Sequence, residues 1–141
     1  MLRSLAPLAL VAAVVLAGCS AQSTSKNDST DKFKGEQRLV ANTVEDFETA
    51  ASKGDQDKIC RDLLAQTLRA TYAQRGGTCE KAVDDTLKDT DSFDLTVQRV
   101  SITGTQAAVV VKADRGKKDI DQSMTLVKQG RGWRISAFKG R

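Results

Sequence analysis

The residues with the most varied chemistry open to them are three cysteines, Cys19, Cys60 and Cys79. A thiol can attack a carbonyl, ligate a metal, carry a lipid or pair with a second thiol, and its neighbours decide which. Here the neighbours remove options. The chain has no histidine, so a serine or cysteine nucleophile lacks its usual base. Without histidine, Cys60 and Cys79 alone do not make up a structural zinc site. Among the carboxylates, Asp94 falls on the outward register of a strand and Asp119 and Asp121 lie beside a lysine-rich turn. A carboxylate in such a place is a solvated group, not a base in an apolar pocket. Arg75-Gly76-Gly77 and Gly130-Arg131-Gly132 have neither the preceding strand nor the helix start that a phosphate loop needs, and are turns. No catalytic residue, metal ligand or cofactor emerges from these types and spacings.

Cys19 has a distinctive context. Arg3 is the only charged residue before Lys26, and it precedes an apolar run from Leu5 to Leu16 that is too short to span a hydrocarbon core of about 30 Å. A charged start, a short apolar middle and small residues at its end are the parts of an export signal. Leu16-Ala17-Gly18-Cys19 resembles the lipobox of bacterial lipoproteins. That resemblance implies a diacylglyceryl (palmitate-type) chain on the Cys19 sulfur and cleavage after Gly18. Residues 1–18 are then a signal peptide, and the membrane is a partner through the anchor. Two or three acyl chains hold durably where one holds marginally, at about 0.8 kcal/mol per buried methylene. Ser20 to Asp31 contains one apolar residue, Ala21. A segment so poor in apolar surface cannot offset its ordering entropy, so 19–32 is expected to be a lipidated tether of roughly 20 Å mean reach.

With Cys19 assigned to lipid, Cys60 and Cys79 are an even pair in an exported chain, where thiols tend to be oxidised. A disulfide is expected between them, and two buried free thiols are the alternative. The charge is uneven along the chain: residues 31–94 carry net −4 and residues 112–141 net +6. The total of +4 is too small to argue for nucleic acid. The basic end could face an anionic envelope surface, or simply keep turns and edge strands soluble.

The first half has helical periodicity. Val40, Val44, Phe47 and Ala51 fall on one face, widened by Leu39 and Phe33, and Gly54 stands where a C-terminal cap belongs. Asp55 opens a short second segment burying Ile59, Cys60, Leu63 and Leu64. Thr67 can cap a third segment that stops at Gly76-Gly77. Thr78 can cap a fourth, with Cys79, Ala82, Val83 and Leu87 on one face. From Phe93 the period falls to two. Phe93, Leu95 and Val97 alternate, and Val100 and Ile102 resume one step out of phase, predicting a bulge near Gln98-Arg99. Turns at Gly104, at ADRGKKD and at QGRG separate three further strands, the middle one carrying Met124 and Leu126. The last carries Trp133, Ile135 and Ala137 on one face. Four helical segments followed by four hairpin-linked strands predict an α+β fold with the helices packed on one side of a curved four-stranded antiparallel sheet.

AASKGD, KICRDLL, GGTCEKAV and a late strand beginning GWRIS together resemble the small exported members of the nuclear transport factor 2-like superfamily over residues 33–141. The resemblance implies a cone in which a bent antiparallel sheet wraps helices and leaves a pocket at the wide end. Phe47, Tyr72 and Trp133 are the aromatic candidates for lining that pocket, with plain core packing as the alternative. With six aromatic residues in the chain, a cavity would be lined mainly by Val, Leu, Ile and Ala.

The superfamily hosts isomerases, dehydratases, binding modules and dimerisation domains, so fold alone does not name the function. The leading expectation is a cell-envelope lipoprotein on the outer face of the cell membrane, or on an outer membrane where the host has one. Its domain would be a non-catalytic binding or adaptor module for a small apolar ligand or a protein partner. The rival is an isomerase- or dehydratase-like enzyme with an unidentified carboxylate base. A homodimer that uses its sheet face is a third possibility.

Overall fold

The structure, a computed structural model, describes residues 30–88, 93–114 and 119–139. The expected signal peptide, Cys19 and the expected tether as far as residue 29 lie outside the described residues. Four helices precede four strands: α1 (Gly35–Lys53), α2 (Gln56–Lys58, running on into a π-helical turn, Ile59–Leu63), α3 (Gln66–Gly76), α4 (Cys79–Lys88), β1 (Asp94–Thr103), β2 (Gln106–Asp114), β3 (Asp119–Gln129) and β4 (Gly132–Lys139). The protein is α+β, and its sheet is an antiparallel meander in the order β1-β2-β3-β4.

The expected apolar face of α1 is buried at Val40, Val44, Phe47 and Ala51, joined by Ala41 and Ala50. Gly54 ends the helix in the left-handed conformation, at φ 65°, where an L side chain would be strained. Its N–H is shared between the carbonyls of Ala50 and Ala51. Leu39 does not join the stripe. It lies about 100° round the helix from Val40 and is 48% exposed, whereas Phe33 is buried. Ordered contacts begin before Phe33: Thr30 is buried, its carbonyl accepts from the Phe33 N–H at 3.0 Å, and Asp31 pairs with Arg38.

Asp55 caps α2 through its carboxylate, which accepts from the Lys58 N–H. The chain then widens into a π-turn in which the Leu64 N–H reaches the Ile59 carbonyl, so that Ile59, Cys60, Leu63 and Leu64 are all buried. Leu64 and Ala65 run along the outer edge of β4, where the Ala65 N–H donates to the Ile135 carbonyl at 2.8 Å. That pairing holds residues 64–65 extended, and α3 starts directly behind them at Gln66. Thr67 is therefore inside the first turn of α3 and is not its cap; its carbonyl accepts from the Thr71 hydroxyl. Thr78 does cap α4, accepting from the Lys81 N–H.

Both sheet irregularities matter for the site. The expected bulge at Gln98 is present between Val97 and Arg99, and it lets Leu95 and Val97 before it and Val100 after it all be buried. A second bulge, at Ser136, breaks the alternation expected for β4. Ile135 pairs with Leu126, but Ala137 pairs with Thr125 and Phe138 with buried Met124. Ala137 thus leaves the face of Trp133 and Ile135, and Phe138 takes its place. Buried residues of α1, the π-turn, α4 and all four strands make one hydrophobic cluster, with Leu68 and Tyr72 of α3 packed against it.

Candidate functional site

The Cys60–Cys79 disulfide is present, with the two Cα atoms 6.1 Å apart, and joins the π-turn after α2 to the first residue of α4. The segment it closes contains α3. Apart from Thr86, four wall residues of a pocket come from that segment and from the α4 helix behind it: Leu64, Tyr72, Val83 and Leu87, with Ile59 immediately before the segment.

This pocket encloses about 220 Å³. Its opposite side is aromatic. Phe47 of α1 meets Phe93 edge-on at 5.4 Å between centroids and Phe138 of β4 in a tilted contact at 5.3 Å, both in the range of favourable aromatic pairs. Gln122 of β3 and Thr86 of α4 complete the lining. Four of the six aromatic residues therefore sit at one end of the core and share the lining equally with the aliphatic Ile59, Leu64, Val83 and Leu87, where a mainly aliphatic lining was expected.

Two of the lining side chains carry polar atoms with no hydrogen-bond partner among the described residues: the Tyr72 hydroxyl and the Gln122 amide. Burial raises the Tyr72 pKa above the usual phenol value, with Arg75 acting in the opposite sense. The Thr86 hydroxyl donates to the Ala82 carbonyl of its own helix at 2.8 Å. No Asp, Glu, Lys or Arg is among the described lining residues.

Of the three aromatic residues singled out from sequence, Phe47 and Tyr72 line this pocket and Trp133 does not. Trp133 is buried at the other end of the core, where its Nε1–H donates to Glu36 Oε2 at 2.8 Å. Lys128 donates to Glu36 Oε1 at the same distance and lies 5.8 Å from the indole centroid. The hydrogen bonds from Lys128 and then Trp133 hold the Glu36 carboxyl below its ordinary pKa. Phe138 and Gln122 escaped sequence reasoning. Phe138 was hidden by the Ser136 bulge, and Gln122 has the same polar side chain that a solvent-facing strand position would have.

The carboxylates weighed as bases lie elsewhere. Asp94, Asp119 and Asp121 are exposed, and Asp119 pairs with Lys112 across the hairpin. Among the described basic residues of the C-terminal half, Lys112 and Lys128 are in ion pairs, and Arg134 donates to the Arg61 carbonyl at 2.7 Å. These three side chains tie elements of the domain together.

Comparison with protein-family models, with curated proteins and with solved structures finds no match to this chain. The class of protein therefore rests on geometry: an α+β domain with a disulfide-clasped helical unit and a small pocket whose described lining is half aromatic and half aliphatic apart from Thr86 and Gln122, with no charged side chain.

Proposed function

We propose that this chain is a lipid-anchored cell-envelope protein whose domain, a nuclear transport factor 2-like cone, holds a small apolar molecule between α3–α4 and the Phe47–Phe93–Phe138 cluster. The observation that carries the reading is the pocket itself. Core side chains ordinarily fill the space between elements to crystal-like density, yet here about 220 Å³ stays open beside three phenylalanines. An apolar cavity of about 150 Å³ is enough to hold benzene, and drug-sized ligands need upwards of about 300 Å³. The guest is accordingly of one-ring size. The lipobox-like LAGC supports the anchor, and the helix-then-meander order supports the cone. The rival isomerase reading needs a carboxylate at the pocket, and none is among the described lining residues.

The test is a protein-detected NMR titration of the full chain carrying Cys19→Ser, which leaves no thiol to acylate, refolded under oxidising conditions so that the Cys60–Cys79 disulfide forms. Benzene should shift signals of Phe47, Val83, Leu87 and Phe138 and leave those of Trp133 unchanged. Absence of any shift at saturating benzene ends the pocket reading. Independently, intact-mass analysis of membrane-expressed protein should show cleavage before Cys19 and added acyl mass; a full-length, unacylated product ends the anchor reading.

A further inference from the structure

The chemistry of the pocket wall narrows the guest, given the ligand-binding reading above. We infer that the natural ligand is a small uncharged molecule with an apolar body and a single hydrogen-bonding group, such as an alcohol, phenol or ketone, with Tyr72 and Gln122 reading that group.

Two observations lead there. The first is charge. The described lining holds no ionisable carboxylate, ammonium or guanidinium side chain, so a charged guest would lose its hydration with no counter-ion in the wall to replace it. Arg75, whose charge acts on Tyr72, is exposed on the same helix and outside the lining. The second is hydrogen bonding. The Tyr72 hydroxyl can donate and accept, the Gln122 amide can do both, and neither has a partner among the described residues. A guest without any polar atom would displace water from these groups and return nothing, which leaves them unsatisfied. A guest with one hydroxyl or carbonyl satisfies at least one of them while its body occupies the space against Phe47 and Phe138. A few placed polar groups in an otherwise apolar wall are the usual means by which a pocket fixes orientation.

A matched series separates these claims by NMR titration of the same Cys19→Ser chain. Ethylbenzene, 2-phenylethanol, phenylacetate and 2-phenylethylammonium share a ring of the right size and differ in the group they present. At pH 7, 2-phenylethanol should bind at least tenfold more tightly than either ion. Tyr72→Phe and Gln122→Leu should each weaken 2-phenylethanol about three- to tenfold, as expected for loss of one hydrogen bond, and should leave ethylbenzene unweakened or bind it more tightly, because the group it would strand is gone. Amide spectra of the variants report whether they fold, and the comparison among the four ligands on the unsubstituted pocket needs no variant. Phenylacetate binding as tightly as 2-phenylethanol overturns the inference, as does an equal loss of ethylbenzene and 2-phenylethanol in both variants; either result leaves the pocket standing. Failure of all four ligands to bind removes the proposed function together with the inference.

Discussion

The two ends of the hydrophobic core are built from the same elements and finished differently. α1 and β4 run side by side in one direction, so Glu36 meets Trp133 at one end and Phe47 meets Phe138 at the other. At the first end the indole N–H is satisfied and Lys128 closes over the ring. The edge of β1 is covered there too, by Gln37, whose side-chain amide donates to the Val100 carbonyl. Between the ends Val40, Val44, Val97, Val109, Leu126 and Ile135 are fully buried. At the second end large flat side chains meet at angles, Phe138 is 38% exposed, and a hollow remains. A core can thus be locked at one end by a few long-range polar contacts while the other end stays unfilled without loss of the fold.

The largest way to break this difference is to open the disulfide, which ties the helical wall of the unfilled end. Closing a loop of about 20 residues is worth about 3 kcal/mol in the chain-entropy model. Cys60→Ala/Cys79→Ala should lower stability by that amount in urea unfolding. Hydrogen exchange should show protection lost in α3 and α4 while β2 and β3 keep theirs. Equal loss in the sheet and the helices would mean that the clasp stabilises the whole domain and not one end of it.

A smaller and sharper test adds one methylene at each end. Val109 is fully buried between Val100 and Met124 on the flanking strands, so Val109→Ile should overpack and cost about 1–3 kcal/mol. Val83 lines the pocket, so the methylene added by Val83→Ile has somewhere to go and should stabilise by about 0.8 kcal/mol. Val83→Ile should also weaken ring-bearing ligands. Opposite signs in denaturant unfolding support a filled end and a hollow one; the same sign in both would refute the distinction.

Local chemistry was the legible part of this fold. The stripe Val40-Val44-Phe47-Ala51, the Gly54 and Thr78 caps, the Gln98 bulge, the meander and the Cys60–Cys79 pair all depend on neighbours a few residues away or on redox context. What stayed hidden depends on partners far along the chain. The π-turn at Ile59–Leu63 delivers Leu64 to the edge of β4, and no periodicity within residues 55–66 encodes that pairing. The Ser136 bulge exists only in the register with β3, where the Ser136 hydroxyl donates to the Thr125 carbonyl; without it Phe138 points away from the core on paper. Trp133 looked like a pocket aromatic because nothing near it in sequence announces Glu36, 97 residues earlier. The pocket has no motif for a related reason: its lining is made of residue types that fill cores everywhere else.

The smallest expected effect probes the locked end through Glu36. Lys128 and Trp133 stabilise the ionised form of Glu36, so the folded chain holds that proton less tightly than the unfolded chain does. The contribution of Glu36 should therefore be complete above its ordinary pKa near 4.5 and fade as the pH falls through the lower folded value. Glu36→Gln can still accept from the indole but cannot pair with the ammonium. Urea unfolding followed by Trp133 fluorescence should show the original chain more stable than the variant at pH 7 and pH 5.5. That gap should narrow toward zero by pH 2.5, and be reduced by added salt at the higher pH values because the pair is exposed. A gap that stays constant across the whole acid range would mean that Glu36 acts only as a neutral acceptor for Trp133, and that the end opposite the pocket is closed by packing without help from charge.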